Sequence, residues 1–176
     1  MRRFIVTFAA VAALAGLGAA AWPGAETSGA AAPSIDLFKK LEGEWCRVGP
    51  DGKASEKTGT SFRVTAGGTA VLEIMSGGEP TEMLTVFHTD QKKLVLTHYC
   101  MLGNQPRMEA APGPDEKTVL FRFTGCGNLA DEKETHMHEA SYTFLGEDRF
   151  KTAWTMYVGG KPAETHEFTY ERKKKK

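Results

Sequence analysis

Leu41-Glu42-Gly43-Glu44-Trp45 opens the first strand-like run of this chain, and Arg172 closes the last. Between them, strand-like runs recur about every eight to twelve residues, the rhythm of an all-β domain. Gly, Pro, Asn and Asp signals separate the runs: Asp51-Gly52, Gly67-Gly68, Gly77-Gly78, Thr89-Asp90, Pro112-Gly113-Pro114 and Gly159-Gly160. About ten strands follow, near 44–49, 57–66, 69–75, 82–88, 93–101, 106–111, 118–124, 136–145, 149–158 and 162–172. Connections this short favour antiparallel neighbours in chain order, because a parallel pair needs a long crossover. With an even number of strands the last returns beside the first, so Arg172 meets Trp45 and the sheet closes into a barrel.

Period-two alternation assigns the faces. Phe150, Trp154, Met156 and Val158 share one face of the ninth run, and His166, Phe168, Tyr170 and Arg172 share one face of the tenth. In the eighth run the larger set is His136, His138, Ala140, Tyr142 and Phe144. An interior holding several His, Tyr and Arg side chains is more polar than packing requires, and each must find a partner or a ligand. Ile35, Leu37, Phe38 and Leu41 form an apolar stripe at helical spacing, so a short helix over 35–41, capped by Ser34 or Asp36, is expected to plug one barrel end. The gap from Gly125 to Thr135 is read as a turn at Gly125-Cys126-Gly127-Asn128 followed by a helical turn or a lid.

Outside the barrel the chain reads differently. Arg2-Arg3, the apolar run from Phe4 to Ala20 and the small residues Ala19-Ala20-Ala21 have the order of a secretory signal peptide over 1–21. That predicts an exported protein, periplasmic or secreted, starting near Trp22; an uncleaved anchor is the competing expectation. Residues 22–34 are rich in Gly, Ala, Pro and Ser and read as a flexible linker, leaving 35–172 as the barrel domain and 173–176 as a basic tail. Without Arg2, Arg3 and the four terminal lysines, the 22 basic residues fall to 16 against 22 acidic ones. A mildly acidic body excludes nucleic acid as a natural partner, since that needs a basic face. Cleavage of the signal would leave no stable membrane insertion.

The sequence resembles the calycins, the superfamily of lipocalins, fatty-acid-binding proteins and nitrobindins. The residues that carry the likeness are Gly43 and Trp45 at the start of strand one and Arg172 in the terminal strand. The resemblance implies an up-and-down barrel whose Trp packs across the closed end beneath the Arg. Leu96-Thr97-His98-Tyr99-Cys100 and His136-Met137-His138-Glu139 also look like an uncharacterised family of exported bacterial proteins with this architecture. Nitrobindin-like barrels hold haem through a single His, which puts His166 or His98 forward as an axial ligand. Their pattern continues with further glycine, however, whereas Cys46-Arg47-Val48 follows Trp45 here.

Counting strands up and down places Trp45 and Arg172 at one end and gathers His98, Cys100, Cys126, His136 and His138 at the other rim, with His166 inside and nearby. Two histidines two apart in a strand leave the same face, so His136 and His138 could share a zinc ion with His98 or His166 as third ligand and an open position for water. Strands five and eight are three steps apart, about 14 Å around the sheet, so such ligands must converge across the interior. The alternative is that these imidazoles hydrogen-bond within a polar pocket. Cys100 and Cys126 share the rim and are the preferred disulfide pair for an exported protein, with one of the three thiols left unpaired. A Cys100–His nucleophile has no visible activating context. Arg107 is read as part of a turn with the option of pairing with an anionic ligand, and the methionines as core filling. Neither a Gly-x-Ser-x-Gly elbow, nor a phosphate loop, nor a His-Glu-x-x-His helix occurs.

These readings converge on an exported calycin-like barrel that binds a small, partly polar or apolar molecule without transforming it. The expected pocket is His98, His136, His138, Tyr142, Trp154, His166 and Tyr170, opposite the closure formed by Gly43, Trp45 and Arg172. A zinc- or haem-containing barrel, with catalysis an option, is the second expectation. A structural or partner-binding module with a filled core is the third.

Overall fold

The computed structural model describes residues 32–174. The expected signal peptide, most of the linker, Lys175 and Lys176 lie outside the described residues. A short helix, α1 (Ile35–Lys39), is followed by ten strands: β1 (Gly43–Val48), β2 (Ala54–Thr65), β3 (Ala70–Met75), β4 (Met83–Asp90), β5 (Lys93–Tyr99), β6 (Gln105–Pro112), β7 (Thr118–Gly127), β8 (His136–Gly146), β9 (Arg149–Val158) and β10 (Lys161–Arg172). All pair antiparallel with their chain neighbours, and β1 pairs with β10, so the sheet is a closed barrel. Among the described residues no helix is long and apolar enough to cross a membrane.

The seam that joins the two ends of the chain is a short ladder of three register pairs. Trp45 faces Arg172, Cys46 faces Glu171 and Arg47 faces Tyr170, whereas the β9–β10 ladder runs from Lys161↔Val158 to Glu171↔Arg149. Several strands run past their expected boundaries, β7 among them. β7 continues through Gly125-Cys126-Gly127, where a turn was expected, because a bulge absorbs one extra residue: Arg107 pairs with Gly125 but Met108 with Phe123. Thr124, the residue left over, donates its Oγ1 hydroxyl to the Arg107 carbonyl at 3.1 Å. The segment that follows makes a single turn, with Glu134 N donating to Asp131 O at 2.9 Å.

Aromatic rings fill the end of the lumen near Trp45. Ser34 caps α1 by accepting from Asp36 N at 3.2 Å. Phe38 of α1 is fully buried, stacked on Phe87 with ring centroids 4.3 Å apart and edge-on to Phe121, Tyr142 and Phe144. Phe150 bridges this cluster to Trp45 at 4.8 Å and to Tyr170 at 5.0 Å. Such pairs add about 0.5–1.5 kcal/mol each to the area they bury. Trp45 is wholly enclosed: its Nε1 donates to Leu41 O at 2.7 Å and the Arg172 guanidinium lies 4.2 Å from its ring centroid. Arg172 then donates to the carbonyls of Lys40, Glu42 and Glu147 and to Asp148 Oδ1 at 2.8–3.2 Å. Those carbonyls belong to the chain entering β1 and to the β8–β9 turn, so a single side chain ties three segments around the closed end.

The outward face is charged. Cross-strand ion pairs join Lys93 to Glu109, Arg122 to Glu139, Arg149 to Glu171 and Lys151 to Glu167. Each is solvated and contributes about 0–1 kcal/mol, so their role is in solubility and register more than in stability.

Candidate functional site

Beyond the aromatic cluster the lumen becomes polar, and strand alternation explains how. Val71, Glu73 and Met75 point inward from β3, with Ala70, Leu72 and Ile74 less buried between them. A glutamate on that face is forced inside. Its cross-strand neighbours in register are Phe62 on β2 and Thr85 on β4, and Thr85 in turn faces His98 on β5. Glu73, Thr85 and His98 therefore form one row inside the wall.

Glu73 is 1% exposed. It accepts from Tyr142 Oη at 2.6 Å and is bonded to Thr60 Oγ1 at 3.0 Å. Burial pushes its carboxyl from 4.5 up to about 7, only partly opposed by these two hydroxyls, which favour the ionised form. Tyr142 is raised well above its ordinary value, first by burial and then by the neighbouring carboxylate. Burial likewise pushes Tyr170 up to about 12.

His98 is buried, with Nδ1 3.0 Å from Thr85 Oγ1 and its ring 4.7 Å from that of Trp154. Burial without an acidic partner holds it down to about 4, so the ring is neutral at ordinary pH. Trp154 also lies 6.2 Å from Tyr142, which makes His98, Trp154 and Tyr142 a contiguous set. The Trp154 Nε1–H is buried without a hydrogen-bond partner among the described residues. His166 faces Trp154 across the β9–β10 ladder, but its side chain is 36% exposed and sits 3.6 Å from Glu164. Tyr170 is buried lower down, stacked on Phe150.

His136 and His138 form a separate group. Met137 pairs with Met156 but Glu139 with Thr155, so His138 is the extra residue of a bulge and simple alternation does not carry across it. His136 Nδ1 is bonded to Glu134 O at 2.8 Å and its Nε2 to His138 Nδ1 at 2.9 Å. The His138 ring is sandwiched between Tyr157 at 3.8 Å and Phe123 at 4.6 Å. Both nitrogens of His136 are thus engaged. Among the described residues no three His, Cys, Asp or Glu side chains stand close enough together to hold a metal ion, so the expected set of His98, His136 and His138 is not assembled.

Of the two histidines put forward for haem, His98 is buried with its Nδ1 engaged by Thr85, and His166 stands 36% exposed beside Glu164. The expected Cys100–Cys126 disulfide is not formed: Cys46, Cys100 and Cys126 are all free thiols. β6 runs between the two rim cysteines, and two strand spacings, ~9–10 Å, exceed the reach of a disulfide. Cys126 opposes Pro106 on β6 and its thiol is directed to Gly127 O at 3.3 Å. Burial raises the Cys100 thiol, which disfavours a nucleophilic thiolate there. Arg107 is paired with Asp90 on the neighbouring hairpin.

Glu73, Thr60 and Thr85 were not among the residues singled out from the sequence, although a glutamate spaced two from Val71 and two from Met75 in a strand is the signal that finds it. Phe123 and Tyr157 depend on the two bulges and left no such signal. No protein-family model matches the chain, and no curated protein matches it.

Proposed function

We propose that this chain is an exported barrel of the calycin type that holds a small, partly polar molecule in the half of its lumen away from Trp45 and Arg172, without transforming it. One observation carries the reading: the buried Trp154 Nε1–H has no acceptor among the described residues, beside a neutral His98 ring. An unpaired buried donor costs about 1–3 kcal/mol, a cost that a ligand carbonyl, hydroxyl or ether oxygen removes on binding. Tyr142 and the Glu73 row line the same region, and His166 stands at its margin. The charged outer wall and the aromatic half of the lumen are the reverse of a membrane-spanning barrel and favour a domain surrounded by water. Export rests on Arg2-Arg3, the apolar run and Ala19-Ala20-Ala21.

A second reading, a partner-binding or structural module with a filled core, is favoured by the aromatic packing of Phe38, Phe62, Phe87, Phe121 and Phe150 in the other half. Native mass spectrometry of the mature protein, purified without chelator or imidazole, separates the two. The proposal expects an organic adduct that is lost in Trp154→Phe, and a mature chain starting near Trp22. A bare mass at every protein concentration would overturn it in favour of the filled core, and a zinc adduct would return the histidines to a metal role.

A further inference from the structure

In the barrel order β3 and β8 are five strands apart in either direction, so they stand diametrically opposed. The Tyr142–Glu73 hydrogen bond joins them across the full width of the lumen, between residues 69 apart in sequence. It is a cross-brace, and its atoms show how it is satisfied. Tyr142 Oη–H donates to Glu73 Oε2 at 2.6 Å. Thr60 Oγ1 lies 3.0 Å from Glu73 Oε1 and 3.2 Å from the Ile74 carbonyl. A hydroxyl has one hydrogen and two acceptor lone pairs. If Thr60 gives its hydrogen to Ile74 O, its oxygen needs a donor, and a protonated Glu73 Oε1–H supplies one. The sequence Tyr142 → Glu73 → Thr60 → Ile74 O then uses every donor and acceptor in order, with no charge left in the core. In the ionised form Tyr142 and Thr60 both donate to the carboxylate, Ile74 O loses the Thr60 hydroxyl, and a full charge stands in the lumen at a burial cost that the two bonds only partly offset.

The surroundings offer that charge no cation. Thr85 on β4 is neutral and is bonded to His98 on β5. β10 contributes Tyr170, α1 contributes only Phe38, and Phe62 comes from β2. Arg47 on β1, paired in register with Tyr170, lies over the Phe168 ring 4.3 Å from its centroid. Among the described residues no Lys or Arg pairs with Glu73.

We infer that Glu73 is a proton-held clasp: as a neutral acid it ties β2, β3 and β8 together across the lumen, and loss of its proton loosens that cross-section of the barrel. This goes beyond ligand binding and does not depend on it. Carboxylic acids that donate in this way occur where burial keeps them neutral, and a buried anion without a partner is the costly alternative.

Infrared difference spectroscopy and amide hydrogen exchange, both on the mature chain between pH 5 and 9, test the inference. The wild type should show a protonated-carboxyl band at pH 5.5 that disappears with a midpoint near 7. Glu73→Gln, a neutral isostere that accepts from Tyr142 and donates to Thr60, should lack the band and stay closed. Protection of β3 and β8 in the wild type, compared with this variant at each pH, should fall about tenfold per pH unit between about 4.5 and 7 and level off above that. Absence of the band at pH 5.5, or its loss with unchanged protection, would overturn the inference. Should Glu73→Gln not fold, Tyr142→Phe decides. That variant removes a bond that favours the carboxylate, so the midpoint must move to higher pH, and an unmoved midpoint rejects the clasp.

Discussion

Trp45 and Trp154 are both buried in the lumen, at 0% and 4% exposure, yet they live under opposite rules. Every polar atom of Trp45 is used: its N–H is bonded to Leu41 O, its face is covered by Arg172, and its edge meets Phe150. Trp154 rests against a neutral histidine with its N–H unmatched. The first arrangement is that of a keystone, where each contact supports another. The second tolerates a local deficit, which a fold optimised only for packing would have removed by placing Phe there. Real proteins break a rule of this kind where something other than stability is served.

The contrast can be broken most forcefully at the closed end. Trp45→Ala is expected to cost about 3–5 kcal/mol, enough to unfold a marginal domain, as measured by urea denaturation. Arg172→Ala should follow at about 1–3 kcal/mol, since it removes the hydrogen bonds to three carbonyls and Asp148 and uncovers the indole; Arg172→Lys should recover little, because a point charge cannot serve three carbonyls at once.

Titration probes the polar half at a comparable scale. Glu73, raised to about 7, contributes stability fully below its ordinary 4.5 and loses it as pH rises through 7, about 3 kcal/mol in all. His98, lowered to about 4, contributes stability above its ordinary 6.5 and loses it as pH falls through 4. Between 4.5 and 6.5 the two slopes oppose each other. Melting temperature should therefore drop at both ends of the range, with Glu73→Gln removing the alkaline loss and His98→Phe the acid one.

The comparison is sharpest where the expected effect is small. Trp154→Phe should change stability by less than about 1 kcal/mol or raise it, because it deletes an unpaired donor, whereas Trp45→Phe should cost about 1–3 kcal/mol. Equal losses at the two positions would mean that Trp154 Nε1 is satisfied in solution. Smallest of all, Lys151→Ala should lower stability by about 0–1 kcal/mol, an effect that shrinks further with added salt.

The closed end was legible in the sequence because regular alternation holds there. Gly43, Trp45 and Arg172 occupy positions that only strand count and parity determine, and the turn signals set those. The rim was less so. A bulge at His138 shifts the phase of β8, and one at Thr124 carries β7 through residues that spell a turn, so extrapolated faces for His136, Cys126 and their neighbours lose their footing. Trp154 lies on a regular stretch, and there alternation correctly turned it inward, while strand counting alone brought His98 to the same half. Glu73 differs in residue type: an imidazole in an alternating strand signals a polar interior, whereas a carboxylate in the same pattern is more often solvated, and only its register between Phe62 and Thr85 reveals it as internal.

The seam between β1 and β10 has a kinetic meaning. Its three register pairs join Trp45–Arg47 to Tyr170–Arg172, so the contact that shuts the barrel spans nearly the whole domain. Every other neighbouring pair is a hairpin that can form from local chain. Closing so long a loop demands entropy that only a nearly complete meander can offset, and contacts of this separation slow folding. A chain still lacking its last ten residues can lay down hairpins but cannot shut the cylinder, and so it stays open until Arg172 arrives.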